Sequence, residues 1–431
     1  MIETKGGEMG YKNKYTRQQG AVSLFVVIFT ALLFAAVTIG FTVLMLSDQQ
    51  QATDNDLAQS ALDSAHAGTE DAKRVLAEYA DCQERGTVSG RCATIATAIG
   101  ANKCSTVSDA LGTGETSERK VQQSEGDSSA ALQQAYTCVK ITPDTDTYVG
   151  KTRNEGDIRL IPLKTTGAYD TVVIHWLTTD DIDLPRGATP EFTPLADFTD
   201  IDSSERANYL RLPSKEQWRN EHRGAILRVG SIQYKPGEVN LNTIDDAARA
   251  VFLYSSNVGV TTENPVDMES NDLHRPLTNP NQEGLDGKLA NYPVEVRCNA
   301  APNEHGTLCS TSITLPQAAD ASLFRYLTIT SLYRDTNFAV ELKSGGYSGS
   351  TVKFKNVQPE IDVTGRANNV FRRLVSRVES ADASESTYPR AAMGVKGDLC
   401  KDFVITDDPE DYMSAQQNSP SSPPPCPVLV Y

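Results

Sequence analysis

The stretch "GAVSLFVVIFTALLFAAVTIGFTVLML", residues 20–46, decides the fold of this chain. Residues 21–46 contain no charged side chain, and most of their few polar groups are serine and threonine hydroxyls, which a helix satisfies internally. At about 1.5 Å per residue this segment reaches roughly 39 Å, whereas the hydrocarbon core of a membrane is about 30 Å thick. We therefore predict a transmembrane helix over residues 21–46.

The charges on the two sides of this helix predict its orientation. The leader, residues 1–20, contains four basic and two acidic residues, and Asp48, Asp54 and Asp56 follow the apolar segment. Because basic residues favour the cytoplasmic side, we expect a cytoplasmic leader and an exported remainder. A cleaved export signal has an apolar stretch of only about 7–15 residues, followed by a small-residue cleavage site. The segment is longer than that, and "SDQQQATD" offers no such site.

The exported part has the composition of a folded, acidic protein. The chain has 431 residues, of which 39% are hydrophobic and 22% are charged, with 40 basic against 56 acidic residues. Without the leader these numbers become 36 and 54, a formal charge of −18. A surface with this charge repels phosphate backbones, so we expect no nucleic-acid partner.

All eight cysteines lie on the exported side, where disulfides form. None belongs to a C-x-x-C pair and the histidines are scattered, which argues against a zinc site. We expect sequence neighbours to pair, each bridge contributing about 2–4 kcal/mol. One pair would close the loop between the strand-like runs "YPVEVRC" and "CSTSITL". The four candidate pairs are Cys82 with Cys92, Cys104 with Cys138, Cys298 with Cys309, and Cys400 with Cys426.

The helical pattern continues beyond the apolar segment. Small and apolar residues recur in steps of three and four at Leu57, Ala61, Ala65, Gly68 and Ala72. We predict one helix of about 60 residues over residues 21–80, with its first half in lipid and its second half packed on a soluble domain. Its narrow stripe of small residues lets neighbouring backbones approach closely. The alternative is a signal-anchor helix with a stalk.

The rest of the chain predicts a β-rich head, so the fold class is α+β. Residues 81–150 have little pattern, and we expect loops held by two disulfides with a short helical run over residues 127–134. Residues 151–431 contain many period-two runs that are typical of antiparallel strands. We expect a hairpin turn at residues 335–337 and a strand rather than a helix at residues 368–380. Residues 180–204 and 257–283 look like surface excursions or an inserted subdomain, and the Pro- and Ser-rich tail covers residues 414–427.

The sequence contains no recognisable catalytic motif, so we expect no enzyme, no cofactor and no metal site. It lacks H-E-x-x-H, a P-loop, a dinucleotide-binding glycine motif and a nucleophile elbow. The aspartates at 144 and 146 and at 197, 200 and 202 could hold calcium, but they lack the EF-hand order, and solvated loops are the default interpretation. The five histidines stand far apart, and we interpret each as a surface or packing residue: His66, His175, His222, His274 and His305.

The N-terminal region resembles the type IV pilin superfamily. The resemblance lies in "RQQG" followed by the apolar helix, and in "AQSALDSAHAGTEDAKRVL", which is most similar to the N-terminal domain of PilX-type minor pilins. It covers about 60 residues. It implies that a prepilin peptidase cuts between Gly20 and Ala21, leaving Ala21 with a methylated amine. Major pilins have glutamate at the fifth mature position, where this chain has Phe25, so the resemblance favours a minor subunit.

The resemblance further implies a cell-surface filament in which this chain contacts other pilin subunits through its N-terminal helix. We expect that surface to include Phe25, Leu57, Ala61, Ala65, Gly68 and Ala72. The roles that follow are priming of assembly, opposition to retraction, and adhesion at the tip or along the shaft. The alternative is a single-pass, membrane-anchored extracellular protein that binds an unidentified surface ligand without joining a filament. An anchored extracytoplasmic hydrolase is a third alternative, which would need Asp, Glu and His to converge in one pocket.

Overall fold

The computed structural model of the chain describes residues 19–112, 118–121, 133–152, 158–185, 188–195, 213–234, 247–271, 293–316 and 324–379. Four α-helices lie in this part of the chain: α1 (Gln19–Glu84), α2 (Arg91–Ala101), α3 (Thr106–Leu111) and α4 (Lys215–Asn220). The expected long helix is therefore present, and it is continuous from the leader junction into the folded head. The cysteine pair 400 and 426 and the Pro- and Ser-rich tail fall outside the described residues.

Fifteen strands are present in the described residues, and they confirm an α+β fold with a β-rich head. In chain order they are β1 (Arg119–Lys120), β2 (Ala135–Thr142), β3 (Thr147–Thr152), β4 (Ile158–Pro162), β5 (Thr171–Trp176), β6 (Ile226–Tyr234), β7 (Arg249–Ser256), β8 (Val266–Asp267), β9 (Val294–Arg297), β10 (Cys309–Thr314), β11 (Phe324–Leu332), β12 (Thr336–Ser344), β13 (Ser350–Val352), β14 (Glu360–Ala367) and β15 (Val370–Arg377). The strand predicted at residues 368–380 is β15.

The strands form three sheets. A four-stranded antiparallel sheet has the order β1-β2-β14-β15, and α1 packs on it with α2 and α3 beside it. A six-stranded sheet has the order β13-β12-β5-β10-β8, with β3 also paired to β12, and a five-stranded sheet has the order β4-β11-β6-β7-β9. All neighbours are antiparallel except β8 with β10 and β7 with β9. The strands β3 to β13 lie in the sequence between β2 and β14, so the two larger sheets form an insertion within the helix-bearing sheet.

One large apolar core lies between the two inserted sheets. Alternate side chains of β5 and β12 from the six-stranded sheet meet side chains of β6, β7 and β11 from the other. Trp176 at the end of β5 is fully buried, and its indole Nε1 donates to Ser255 Oγ at 3.3 Å. The remaining β5 side chains are buried too, so this strand is covered on both faces.

The segment 333–335 joins the two inserted sheets, so the predicted hairpin at residues 335–337 is wrong. β11 belongs to the five-stranded sheet and β12 to the six-stranded sheet. Tyr333 takes a positive φ of 69° and stacks on Trp218 with ring centroids 4.4 Å apart. Arg334 is buried and donates to the carbonyl oxygens of Asp181 and Arg219. These contacts hold a corner between sheets where the sequence pattern alone suggested a tight turn.

The segment 81–150 is more ordered than the predicted loops. It contains α2, α3, β1, β2 and the start of β3. The buried residues of α2 are Ile95, Ala98 and Ile99, a helical spacing, and Asn102 ends the helix in the left-handed conformation. The part of the predicted run 127–134 that is described, Gln133 and Gln134, is not helical. The two disulfides expected in this segment are present, and three of their four cysteines lie in helices or a strand, with Cys104 in the turn before α3.

Three of the four expected disulfides lie in the described residues. Cys82–Cys92 joins the end of α1 to α2, and Cys104–Cys138 joins the segment before α3 to β2. Cys298–Cys309 joins the end of β9 in the five-stranded sheet to the start of β10 in the six-stranded sheet. By the loop-entropy model each bridge stabilises the folded chain by about 3–4 kcal/mol. The third bridge also closes the short loop between two different sheets.

Candidate functional site

The first half of α1 projects from the head as an apolar rod. Every large apolar side chain between Leu24 and Leu46 is more than half exposed, and Phe25 is 75% exposed. The hydroxyls of Thr30, Thr38 and Thr42 donate to backbone carbonyl oxygens one turn earlier, so they are satisfied without water. Within the described residues, α1 is the helix long and apolar enough to cross a membrane. With exported disulfides this suggests a single-pass anchor and an extracytoplasmic head.

The second half of α1 is buried against the four-stranded sheet. Ala61, Ala65 and Ala72 are fully buried, and a Cβ on Gly68 would meet Val363 Cγ1 at 2.8 Å and Tyr136. The small side chains of this half therefore bring the helix backbone close to the sheet.

The closest approach is at Gly365 in β14. A Cβ there would lie 2.0 Å from the carbonyl oxygen of Ala61 and 2.4 Å from the backbone nitrogen of Ala65. The hydrogen-bond register between β14 and β2 also shifts between Thr364 and Gly365. The sheet thus uses a glycine and a local irregularity at the point where α1 crosses it.

Polar contacts and a disulfide fix the head end of α1. Tyr136 Oη donates to Asp71 Oδ2 at 2.7 Å, and burial together with this carboxylate raises the pKa of the Tyr136 phenol well above its usual value. The Arg91 guanidinium at the start of α2 pairs with both carboxylate oxygens of Glu78. These contacts fix the second half of α1 to the head.

These positions correct the expected assembly surface. Ala61, Ala65, Gly68 and Ala72 pack on this chain's own sheet, so they are not available to neighbouring helices. Leu57 is partly buried, and Phe25 remains exposed. The predicted packing of this half on the soluble domain of the same chain is confirmed, so the same stripe cannot also face a neighbouring helix.

The expected processing junction lies at the start of α1. The bond between Gly20 and Ala21 is in the first turn of the helix, which begins at Gln19. The leader upstream, residues 1–18, lies outside the described residues. Cleavage at this bond would remove the leader and keep the full apolar rod.

The end of α1 borders a cleft of about 780 Å³. Tyr79 and Gln83 line it on the helix side, and Tyr169, Lys164 and Lys355 line it on the side of the inserted sheets. A volume of this size suits a small-molecule ligand. The cleft has aromatic and basic walls, which sequence reasoning did not bring together.

A second cleft, of about 680 Å³, places aspartates beside a histidine and two arginines. Asp181 in this cleft accepts from the backbone nitrogens of Thr178 and Asn337 and from the Asn337 amide. His222 Nδ1 contacts the carbonyl oxygen of Ile182 at 3.0 Å. These hydrogen bonds hold together the segments at the corner between the sheets, so we assign these groups a structural role.

Three side chains that the sequence does not associate meet on the inserted sheets. His175 on β5, Glu341 on β12 and His305 in the loop before β10 place their ligand atoms within 4.8 Å of one another. His175 and His305, which stand far apart in the sequence and which we interpreted as surface or packing residues, thus lie side by side, with ring centroids 4.1 Å apart. Burial and the neighbouring His305 lower the pKa of His175 to about 4. No local sequence signal predicts this cluster, because it depends on strand register.

The aspartates considered for calcium have other partners where they are described. Asp144 Oδ1 accepts from the backbone nitrogen of Asn356 at 3.1 Å, and Asp146 Oδ1 lies 3.7 Å from Lys353 Nζ. The aspartates at 197, 200 and 202 fall outside the described residues. The described pair thus fits the solvated-loop interpretation.

No protein-family model, curated protein or solved structure matches this chain in comparisons with known proteins.

Proposed function

We propose that this chain is a minor-pilin-like component of a type IV pilus or related filament. The observation that carries the proposal is the division of α1, whose first half is an exposed apolar rod and whose second half is fixed to a sheet. A rod of this kind serves as a membrane anchor before assembly. After removal of the charged leader it can pass from lipid into a bundle of similar helices, because its side chains suit both apolar surroundings.

The structure restricts where such a bundle would form. The small residues of the second half are covered by the head, so intersubunit contacts of α1 would involve residues that stay exposed, above all the run 24–56. Phe25 supplies no carboxylate to pair with a neighbouring amine, which supports a minor subunit at the tip or sparsely along the shaft. The large inserted sheets support the same choice, since a bulky head is difficult to repeat at close helical spacing.

The decisive test is the state of the leader in the working protein. We expect cleavage after Gly20, so that the N-terminal sequence of the native protein begins at Ala21 and the protein appears in sheared surface filaments. Gly20→Ala should leave a full-length precursor in the membrane. Gly40→Ala is the matched control, because Gly40 lies in the same apolar rod and a Cβ there meets nothing within 4 Å. It should mature normally. Normal maturation of Gly20→Ala, or an intact Met1 on the native protein, would contradict the proposal.

The cleft beside Tyr79 favours a second candidate function. A single-pass anchored protein that binds a small ligand outside any filament would use the same rod as a permanent anchor and the 780 Å³ cleft as its site. The same fractionation separates the two candidates. The protein stays entirely with the membrane after shearing if this second function is the correct one.

A further inference from the structure

The register of the six-stranded sheet places His175 and Glu341 on one face. His175 pairs with Ala339 of the neighbouring strand, and Glu341 lies two residues further along that strand. Since side chains of a strand alternate between faces, Glu341 is the diagonal neighbour of His175. This face is the one opposite to the core that holds Trp176.

The loop closed by Cys298–Cys309 brings a third side chain to this face. His305 lies in that loop, and its Nε2 is 3.1 Å from Glu341 Oε1 and 3.7 Å from Glu304 Oε1. Asn303 fixes the loop, because its Oδ1 accepts from the backbone nitrogens of His305 and Thr307 and from Thr307 Oγ1. The disulfide and this turn together limit how far His305 can move from the sheet.

One ring nitrogen of the cluster lacks a partner. His175 is only 6% exposed, and its Nε2 is buried with no hydrogen-bond partner among the residues that the structure describes. Its Nδ1 has a contact of 3.4 Å with Asn303 Nδ2, which is longer than an ordinary hydrogen bond. A buried, unpaired polar group is costly in free energy, and a cation bound at Nε2 would remove that cost.

The spacing of the ligand atoms fits one small metal ion. In a tetrahedral zinc site, bonds of about 2.0–2.2 Å place ligand atoms about 3.3 Å apart. The 3.1 Å between His305 Nε2 and Glu341 Oε1 is close to this value, and all three ligand atoms lie within 4.8 Å of one another. The separations, which are at most 4.8 Å, must close to about 3.3 Å. Side-chain shifts of up to about 1.5 Å, of which His305 on its loop can make the largest part, complete three bonds and leave a fourth position for water.

We propose that His175, His305 and Glu341 bind a zinc ion on the outer face of the six-stranded sheet. Two imidazoles and one carboxylate are ligands that zinc accepts readily, whereas magnesium and calcium favour all-oxygen sites. When zinc binds at His175 Nε2, the ring proton lies on Nδ1. The long contact between Nδ1 and Asn303 Nδ2 is then lost. The site goes beyond the proposed filament function, and its metal would tie the loop of His305 to two strands.

The remaining contacts of Glu341 orient its carboxylate. Glu341 Oε2 pairs with Lys343 Nζ at 3.1 Å, and Lys343 Nζ donates to Thr351 Oγ1 at 2.8 Å. Thr147 Oγ1 donates to Glu341 Oε1 at 3.4 Å. The lysine occupies the oxygen that faces away from His305, which leaves Oε1 as the metal ligand. Such outer contacts hold a ligating carboxylate in place.

The test is zinc binding by the full chain in detergent after removal of metals with a chelator. Calorimetric titration should show that one zinc ion binds per chain. His305→Ala and Glu341→Gln should each weaken this binding at least tenfold. Cobalt(II) should give the visible absorption of a tetrahedral site, and both variants should lose it. His66→Ala is the control, since His66 is exposed on α1 away from the cluster, and it should bind as the native chain does.

Asn303→Asp sharpens the test in the opposite direction. Aspartate keeps an oxygen for the loop and gives His175 Nδ1–H an acceptor, which is the usual arrangement behind a metal-bound histidine. We expect about tenfold tighter zinc binding. Equal zinc affinity in the native chain, His305→Ala and Glu341→Gln would overturn the proposal, and so would an absence of zinc binding by the native chain. These outcomes leave the filament proposal intact, because that depends on leader cleavage.

Discussion

The two halves of α1 differ in the size of their side chains and in what packs against them. Between Leu24 and Leu46 the large side chains point outward, and each of them is more than half exposed. Between Ala61 and Ala80 the side chains that face the head are mostly small, and the sheet comes within contact distance of the helix backbone. The first half of this continuous helix thus presents large apolar side chains that suit lipid or other helices. The second half presents small side chains on which its own head packs.

The size of the side chains therefore indicates how closely another backbone can approach each half of the helix. A stripe of small residues permits close backbone approach, but it does not identify the backbone that approaches. Here the partner is β14 of the same chain. Residues 24–56 are exposed all round the helix and leave a continuous surface for another chain, and substitutions that separate this part from the packed part test the division.

The largest effect should come from Gly365→Ala. A Cβ at this position would lie 2.0 Å from a backbone oxygen of α1, so the helix must move off the sheet. We expect a loss of about 3 kcal/mol in the free energy of unfolding, at the upper end for overpacking. Chemical denaturation of the full chain in detergent measures it, and hydrogen exchange over residues 57–80 locates it.

Gly100→Ala is the control for this substitution. Gly100 lies in α2 at ordinary helical φ, and a Cβ there meets nothing within 4 Å. Alanine favours the helix by up to about 1 kcal/mol, so this variant should be as stable as the native chain or slightly more stable. If Gly365→Ala unfolds at the same denaturant concentration as Gly100→Ala, the helix is not in close contact with β14.

Much of this fold could be predicted because its signals are local. A charge-free run of 26 residues, steps of three and four in the following segment, and period-two strands each depend on near neighbours in sequence. The helix α2 carried a usable signal as well, in the spacing of Ile95, Ala98 and Ile99 before the left-handed Asn102. Its small residues and nearby cysteines favoured a loop interpretation, which was wrong.

The unpredicted features depend on pairing between distant segments. The corner at Tyr333 joins two sheets because β11 and β12 pair with different strands, which their sequences do not specify. The cluster of His175, His305 and Glu341 depends on the register of β5 against β12 and on a loop folded over them. Gly365 is likewise an ordinary strand glycine in sequence. Only the tertiary structure shows that a helix crosses it.

Truncation of one valine in each half of α1 gives the next effect in size. Val75 is fully buried against the sheet, so Val75→Ala should cost about 2 kcal/mol from lost burial and incomplete repacking. Val37 is 53% exposed in the apolar rod, so Val37→Ala should leave the stability of the head within about 0.5 kcal/mol of the native value. Equal losses for the two variants in the same denaturation experiment would show that the rod also packs on the head.

Among the substitutions in the packed half of α1 and its sheet, the smallest loss of stability should come from Gly68→Ala, because its neighbours are side chains. A Cβ there would lie 2.8 Å from Val363 Cγ1 and 2.9 Å from Tyr136 Cγ, and both side chains can shift by a few tenths of an ångström. Overpacking costs about 1–3 kcal/mol, and the greater helix propensity of alanine offsets about 1 kcal/mol of it. We expect a net loss of about 1 kcal/mol.

The matched variant for Gly68→Ala is Gly40→Ala in the exposed half of the same helix. A Cβ on Gly40 meets nothing within 4 Å, so this variant gains propensity without any clash. A sheet lies against Gly68 but not against Gly40. We expect the denaturation midpoint to fall for Gly68→Ala and to stay constant or rise for Gly40→Ala. This result would place the boundary between the apolar rod and the packed part of the helix between residues 40 and 68. A decrease for both would mean that the rod is covered as well, and its surface would then not be available to another subunit.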